Sequence, residues 1–129
     1  MTDNASKVRQ LVENWAQAVR NRDIDQILAH HSQDIVMYDV PMPFKSIGLE
    51  AYRKTWEVFF RFTKQGTFNF HELHVVAGEN VAFCFATMKC EDKSQTEDFV
   101  NVDFRLTIGL KKINDEWTII HEHHSVPSE

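Results

Sequence analysis

The sequence predicts an α+β domain in which three helices pack on one face of an antiparallel sheet. Before Gly66, apolar residues recur at the three- and four-residue spacing of helices, with one short β-like run between them. After Gly66, apolar and polar residues alternate in four runs that short polar segments join. Because helices that precede a series of hairpin-linked strands favour segregated layers, this order indicates an α+β fold.

The length and charge of the chain limit its possible functions. Its 129 residues fit a single domain over residues 1–129, with no linker or internal repeat. The formal net charge of −5, without a basic stripe, argues against binding to nucleic acids or to an anionic membrane. No apolar run approaches the roughly 18–20 residues of a membrane span, and the first residues lack the apolar core of a signal peptide. The ten phenylalanines indicate a packed core or an apolar pocket.

The two cysteines favour a reducing compartment. Cys84 and Cys90 lie six residues apart in a predicted strand, which separates them by about 20 Å at roughly 3.3 Å per residue. That distance exceeds the reach of a disulfide bond. We therefore expect reduced thiols and a cytoplasmic location.

Each of the three predicted helices has an apolar stripe. The first begins near Asp3 or Asn4, either of which can cap it, and it ends before Asp23. Asp23 is placed to cap a short second helix, and the third helix begins near Gly48 and ends at Gly66. The stripe of the first helix contains Val8, Leu11, Val12, Trp15, Ala18 and Val19. The stripe of the third helix contains Leu49, Tyr52, Trp56, Phe59 and Phe60.

Five strands follow from the remaining patterns. The first covers 35–40 and ends at Pro41, because proline cannot donate to a strand ladder. The other four strands are predicted at 68–77, 81–91, 98–112 and 117–126. In the segment 98–112, one face carries short polar side chains and one arginine, namely Asn101, Asp103, Arg105 and Thr107. This face is either a partly enclosed polar surface or an ordinary solvated face.

The order of these elements and three local motifs resemble a known family. The order helix, helix, strand, helix and four strands is similar to that of the nuclear transport factor 2-like superfamily. The motifs MYDVP at 37–41, GLEAYR at 48–53 and HEHHSVP at 121–127 resemble its SnoaL-like, ketosteroid-isomerase-related group. The resemblance covers nearly the whole chain and implies a cone-shaped roll of three helices on a curved sheet. Because this superfamily includes ketosteroid isomerases, polyketide cyclases, dehydratases and oligomerisation modules, the resemblance implies the fold more closely than the function.

Asp39 is the leading candidate for a catalytic residue. It ends the first predicted strand, in a context similar to that of the general base of the ketosteroid isomerases. Apolar neighbours such as Met37 and Val40 would raise the proton affinity of its carboxylate by desolvation, which suits proton abstraction next to a carbonyl. The alternative is that Asp39 caps the turn before Pro41.

Two more candidates come from the resemblance to the isomerases. Asp103 falls near the position where those enzymes carry a protonated aspartic acid that donates a hydrogen bond to the enolate oxygen. Arg105 lies two residues further on the same face, so an Asp103–Arg105 pair is the alternative. Trp15 occupies the place of a tyrosine oxyanion donor, although packing in the core is the more common duty of a tryptophan on an apolar stripe.

The histidines near the end of the chain suggest a polar group in the pocket. His121 and His123 alternate onto one strand face, and we expect His123 to act in catalysis as a proton shuttle and His121 to bind substrate. The same two residues could begin a zinc site, but the sequence offers no evident third ligand. We therefore predict no metal, and the absence of a phosphate loop or dinucleotide motif predicts no cofactor.

An apolar pocket between helices and sheet is expected to bind the substrate. Its predicted wall consists of Tyr52, Trp56, Phe59 and Phe60 on the third helix, with Tyr38, Arg105, His121 and Trp15 as further substrate-binding residues. Mostly apolar pockets with a few polar groups are typical of small-molecule sites.

Two hypotheses for the function remain open on the sequence. The first is an isomerase, cyclase or dehydratase that transfers protons on a small hydrophobic carbonyl compound without a cofactor. The second is a non-catalytic binding or oligomerisation module, in which Asp39 would face solvent or only cap a turn. Both hypotheses predict a homodimer, from the resemblance and from the abundance of two-fold oligomers.

Overall fold

The computed structural model describes residues 3–63, 66–92 and 102–128, so the predicted strand residues 98–101 lie outside the described part. The first helix, α1, spans Asn4–Arg20, and α2 spans Ile24–Leu28. The third helix, α3, spans Leu49–Phe62. Asp3 caps α1 by accepting a hydrogen bond from the backbone N–H of Ser6, and Asp23 caps α2 by accepting one from Gln26.

In the part of the chain that the structure describes, six strands form one sheet. They are β1 (His31–Tyr38), β2 (Ser46–Ile47), β3 (Gly66–Ala77), β4 (Val81–Asp92), β5 (Val102–Ile113) and β6 (Glu116–Ser125). Their order across the sheet is β2-β1-β6-β5-β4-β3, so β2 and β3 form the two open edges. The predicted α+β class is confirmed, with three helices and a curved, unclosed sheet.

One strand pair differs from the expected antiparallel arrangement. The chain runs from β3 to β6 through antiparallel neighbours, but β1 pairs with β6 in parallel. Parallel neighbours need a long crossover, and here the whole segment from α3 to β5 separates the two strands in sequence. The sheet is therefore mixed, and its parallel pair brings the end of β1 beside the end of β6.

The inner face of the sheet carries the core. On β4 and β5 the even-numbered side chains point inward, and nine of them are buried: Ala82, Cys84, Ala86, Met88, Cys90, Phe104, Leu106, Ile108 and Leu110. Helix α1 lies against β3 and α3 lies against β1, so their apolar stripes complete this core. Both cysteine side chains are buried here, on β4.

The outer face of the sheet has no helix over it in the described part of the chain. Side chains that lie opposite each other on neighbouring strands form rows across this face. One such row crosses five strands and contains His74, Phe85, Thr107, His123 and Tyr38. All five of these residues are exposed. Within residues 3–63, 66–92 and 102–128, no helix is long and apolar enough to cross a membrane.

Candidate functional site

An apolar cavity of about 590 Å³ opens between α3, the inner face of the sheet and the end of β1. Its wall is lined by Met37, Val40, Pro41, Thr55, Trp56, Val58, Phe59, Phe68, Cys90, Phe104 and Val126. Among the residues that the structure describes, two carboxylate or imidazole groups join this wall, Asp39 and His124. A mostly apolar cavity with a few convergent polar groups has the form of a small-molecule site.

Asp39 lies at the first position after β1, where the strand ladder ends. Its side chain is 26% exposed, and its Oδ1 atom accepts a hydrogen bond of 2.8 Å from the backbone N–H of Val40. The same Oδ1 atom lies 3.9 Å from Nδ1 of His124. This distance is too long for a direct hydrogen bond, so both groups keep hydrogen-bonding capacity toward a molecule in the cavity.

His124 lies at the floor of the cavity with its ring held on three sides. The ring stacks on Phe104, with centroids 5.6 Å apart and planes 12° apart, and meets the edge of Trp56 at 6.3 Å. Its Nε2 atom lies 3.3 Å from Oε1 of Glu122. Burial opposes a charge on this ring, but the Glu122 hydrogen bond and the charges of Asp39 and Glu122 outweigh it and raise the pKa of His124 above its ordinary value.

Behind His124 lies a cluster of buried polar side chains, which we call the buried cluster: Glu122, His31, Tyr52 and Trp15. Oε2 of Glu122 accepts a hydrogen bond of 2.7 Å from the Tyr52 hydroxyl and lies 2.9 Å from Nε2 of His31. The Trp15 indole N–H donates to the Tyr52 oxygen at 3.0 Å. The Glu122 side chain is 0% exposed, so these contacts replace the water that a carboxylate would otherwise bind.

The buried cluster holds its members in definite charge states. Burial alone would raise the pKa of Glu122, but hydrogen bonds from His124 and His31 and the charges of both rings hold it well below its ordinary value. Burial and the neighbouring Glu122 charge raise the pKa of Tyr52 well above its ordinary value. Glu122 is therefore an anion and Tyr52 a neutral donor at neutral pH.

Five of the residues predicted for the site lie on the outer face instead. Asp103, whose side chain is 71% exposed, bonds to Nε2 of His71 at 3.1 Å, and Arg105 donates to Ser125 rather than pairing with Asp103. Tyr38 contacts the rings of His121 and His123 edge-on, with centroids 4.8 and 5.3 Å away. The structure thus does not bring these five residues to the cavity, and the polar face of β5 is the solvated one.

A bulge in β6 explains why His124 rather than His123 faces the cavity. Trp117 and Ile119 point inward, and simple alternation from them would also turn His121 and His123 inward. The register with β5 shifts between Ile119 and His121, which leaves Ile120 unpaired. An extra residue in one strand reverses the faces of everything after it. Glu122 and His124 therefore become the buried positions.

The aromatic residues predicted on the helices divide between cavity and core. Trp56 and Phe59 line the cavity as expected. Tyr52 and Trp15 are buried beneath it in the buried cluster, where the Trp15 N–H is already used by Tyr52. The Phe60 ring instead lies under the guanidinium of Arg22, 4.4 Å from its centroid.

Sequence reasoning missed His31, Glu122 and His124 as site residues. One signal was present, since a glycine inside a strand often marks a bulge, and Gly109 is the β5 residue at this bulge. An added Cβ at Gly109 would lie 3.6 Å from Cβ of His121, which is an ordinary van der Waals contact, so the packing against β6 does not by itself require a glycine here. No signal in the sequence links His31 to Glu122, because 91 positions separate them.

Two other kinds of site were possible, a metal site and a second depression, and both have fewer reactive groups than the apolar cavity. In the described ranges 3–63, 66–92 and 102–128, no group of three His, Cys, Asp or Glu side chains has an arrangement that could hold a metal ion. A second depression of about 630 Å³ lies beside α1 and the turn before β6. It is bordered by exposed polar side chains such as Lys7, Gln10 and Gln26, and none of the buried ionisable groups lines it. The apolar cavity is therefore the candidate site.

Comparison with known proteins places this geometry in a family. The sequence profile of the SnoaL-like domain matches residues 8–129. Among solved structures, an NTF2-like protein of unknown function from Pseudomonas putida KT2440 is 32% identical, with a TM-score of 0.88 over 97% of this chain and 87% of that chain. A candidate dehydratase of the NTF2-like family from Streptomyces avermitilis is 12% identical, with a TM-score of 0.83 over 98% of this chain and 97% of that one.

A third solved structure extends the likeness of fold. A ketosteroid isomerase-like protein from Erwinia carotovora atroseptica SCRI1043 is 14% identical, with a TM-score of 0.76 over 100% of both chains. At such low identity, these last two structures show the fold alone. The comparison with curated proteins finds no match.

Proposed function

Because the chain belongs to the SnoaL-like domain family of NTF2-like proteins, we propose that it is a proton-transfer enzyme of the isomerase, cyclase or dehydratase type. Its substrate is a small hydrophobic carbonyl compound, and the reaction uses side chains without a cofactor. The observation that carries this proposal is the Asp39 carboxylate facing the His124 ring at 3.9 Å on the wall of an apolar cavity. The base, Asp39, and the hydrogen-bond donor, His124, therefore lie close enough to contact the same molecule in the cavity.

In the proposed reaction, Asp39 removes a proton from the carbon next to the substrate carbonyl. The C–H bond breaks, its electron pair forms the carbon–carbon double bond of an enolate, and the carbonyl π pair moves onto oxygen. The proton rests on the Asp39 carboxylate, while an N–H of His124 donates to the enolate oxygen. In a substrate with a double bond between its β and γ carbons, the enolate is a dienolate; return of the proton from Asp39 to the γ carbon re-forms the carbonyl and leaves the double bond between the α and β carbons, which completes an isomerisation.

The charged groups around the cavity favour formation of the enolate. Before reaction, the carboxylates of Asp39 and Glu122 face the rings of His31 and His124. Once Asp39 has taken up a proton, Glu122 is the only anion left among these four groups. The raised pKa of His124 favours its charged form, and this positive charge complements the negative enolate in a site where apolar walls exclude water and strengthen the interaction.

Exchange of carbonyl α-protons with deuterium tests the proposal without knowledge of the natural substrate. The probe is the bicyclic ketone 2-decalone in deuterated buffer, followed by proton NMR. Asp39→Asn is expected to lower the enzymatic exchange rate about 100-fold or more, as for loss of a general base. The matched control is Asp103→Asn, an aspartate on the outer face that should retain wild-type exchange. Full exchange in Asp39→Asn would remove Asp39 from the mechanism.

A binding module of the same fold is the second candidate. It is favoured by the hydrogen bond that Asp39 accepts from the backbone of Val40, since such a bond also caps a turn. This alternative predicts that wild-type protein binds 2-decalone, seen as quenching of Trp56 fluorescence, but exchanges no α-protons above the buffer rate. The same exchange assay therefore separates the two functions.

The proposed assembly is a homodimer through the outer face of the sheet. Phe83 and Phe85 are 46% and 44% exposed there and stack on each other at 6.0 Å, beside the half-exposed Val76. A patch of this kind on a sheet fits the same patch of a second copy. Light scattering on wild-type and Phe85→Lys should give a dimer and a monomer, respectively.

The cytoplasmic location stays a prediction.

A further inference from the structure

Glu122 is a buried ionised group that the proposed proton transfer does not use. It points inward from β6, and its Cα partners across the sheet are Ile108 and Met37, both apolar. Its side chain is 0% exposed. An isolated carboxylate in such surroundings is costly, so its presence requires partners that keep it charged.

The contacts of Glu122 fix both of its oxygens. Oε2 faces the Tyr52 hydroxyl at 2.7 Å and Nε2 of His31 at 2.9 Å, while Oε1 faces Nε2 of His124 at 3.3 Å. The Tyr52 oxygen accepts from the Trp15 N–H and lies 3.1 Å from Nε2 of His31, while its single proton is donated to the nearer Glu122 oxygen. The carboxylate therefore cannot turn away from His124 without losing its other partners.

Each ring nitrogen of His31 lies within hydrogen-bond distance of an acceptor. Its Nδ1 lies 2.8 Å from the carbonyl oxygen of Ala29, and a carbonyl only accepts. Its Nε2 faces the Glu122 carboxylate, which also accepts. Imidazole and carboxylate groups thus alternate from the core to the cavity, in the order His31, Glu122, His124 and Asp39.

We infer that Glu122 is a positioning residue for His124: its carboxylate fixes the orientation of the imidazole and keeps both ring nitrogens protonated, with Nδ1–H toward Asp39 and the cavity. His31 and Tyr52 in turn hold Glu122. The ionisable groups that face His124 are Asp39 after β1 and Glu122 on β6, while α3 and β5 contribute Trp56 and Phe104. The use of His124 in turnover rests on the proposed function, but its charge and orientation do not.

The first test uses the wild-type protein alone. NMR of protein labelled with ¹⁵N-histidine reports the protonation of each ring nitrogen. Both nitrogens of His124 are expected to carry a proton at about pH 7, and the ring should titrate above the ordinary histidine range. A single protonated nitrogen on His124 at this pH would overturn the inference, whatever any variant shows.

The second test removes the charge of Glu122 but keeps the shape of its side chain. Glu122→Gln retains an amide oxygen for Tyr52 and His31, and it is expected to lower the pKa of His124 by about one unit or more. The 2-decalone exchange rate should then fall about tenfold at neutral pH, with its pH profile displaced to lower pH. Glu122→Asp keeps the carboxylate, so its His124 pKa and its exchange rate should both lie closer to the wild-type values than those of Glu122→Gln. Glu116→Gln, an exposed position on the same strand, is the matched control.

The two readouts keep the inference separate from the proposed function. If the titration of His124 moves in Glu122→Gln while wild-type protein exchanges no α-protons, the positioning role stands and the enzymatic proposal fails. If Asp39→Asn abolishes exchange while Glu122→Gln leaves the titration of His124 unchanged, the positioning role fails and the enzymatic proposal stands.

Discussion

The two faces of the sheet at the end of β6 carry the same residue type in different surroundings. His124 on the inner face is 8% exposed, stacks on Phe104 and lies between the carboxylates of Glu122 and Asp39. His123, one residue before it, is exposed, and its ring contacts those of Tyr38 and His121. The imidazoles are chemically identical, so any difference in function arises from burial and from neighbouring charge.

Substitution of the two histidines should give the largest contrast between the faces. His124→Gln is expected to lower the α-proton exchange rate of 2-decalone about 100-fold or more, because the donor to the enolate oxygen is lost. His123→Gln should exchange at the wild-type rate, since its ring points away from the cavity. Equal losses in both variants would contradict the assignment of the inner face as the active one.

Loss of a buried carboxylate should cost more stability than loss of an exposed one. Glu122→Ala leaves two imidazoles buried without their anion and is expected to lower the free energy of unfolding by about 3–5 kcal/mol. Asp103→Ala breaks only the exposed contact with His71 and should leave that free energy within experimental error. Urea denaturation followed by tryptophan fluorescence measures both. A small effect of Glu122→Ala would mean that the buried pairs contribute little.

Most of the fold could be predicted from the sequence, because it depends on local periodicity. The stripes of α1 and α3, and the alternation in β3 to β6, each repeat over ten or more residues. The strand β2 was missed because its two residues, Ser46 and Ile47, are too few to show a period. The parallel pairing of β1 with β6 joins segments about 85 positions apart, and no local pattern encodes such a pairing.

The candidate site was only partly predictable, for a geometric reason. Asp39 could be found because it follows a strand that a proline ends, and Trp56 and Phe59 because they lie on a helical stripe. His124 could not be found, because the bulge at Ile120 reverses the faces that alternation assigns. Because of this single extra residue, His121 and His123 lie on the outer face, and Glu122 and His124 take the buried positions that alternation assigns to them.

The stability of the protein should depend on pH through two groups of the inner face, Glu122 and His124. Glu122 has a pKa lowered from its ordinary 4.5, so its contribution is present above that value and lost as pH falls through the folded pKa. His124 has a pKa raised from its ordinary 6.5, so its contribution is complete below that value and lost as pH rises through the folded pKa. Together they stabilise the fold most between pH 4.5 and 6.5.

Thermal unfolding across pH measures this dependence. The midpoint of wild-type protein minus that of Glu122→Gln should be greatest within this mildly acidic window and decline on both sides of it. His123→Gln, as the outer-face control, should follow the wild-type curve throughout. A difference curve that stays flat from about pH 3 to about pH 9 would rule out these two groups as the source.

The smallest contrast concerns the two tyrosines, one on each side of the sheet. Tyr52→Phe removes the hydroxyl that receives the Trp15 N–H and donates to Glu122 at 2.7 Å, and it is expected to cost about 1.5–3 kcal/mol of unfolding free energy. Tyr38→Phe keeps the ring contacts with His121 and His123 and should change that free energy by less than about 0.5 kcal/mol. Because Tyr52→Phe also leaves the Trp15 N–H without its acceptor, a second variant carrying Trp15→Phe as well should lose less than the sum of the two single changes. Urea denaturation measures the loss of unfolding free energy in each variant. If the loss in the double variant equals the sum of the two single losses, the two side chains act independently, which would contradict the hydrogen bond between them in the buried cluster.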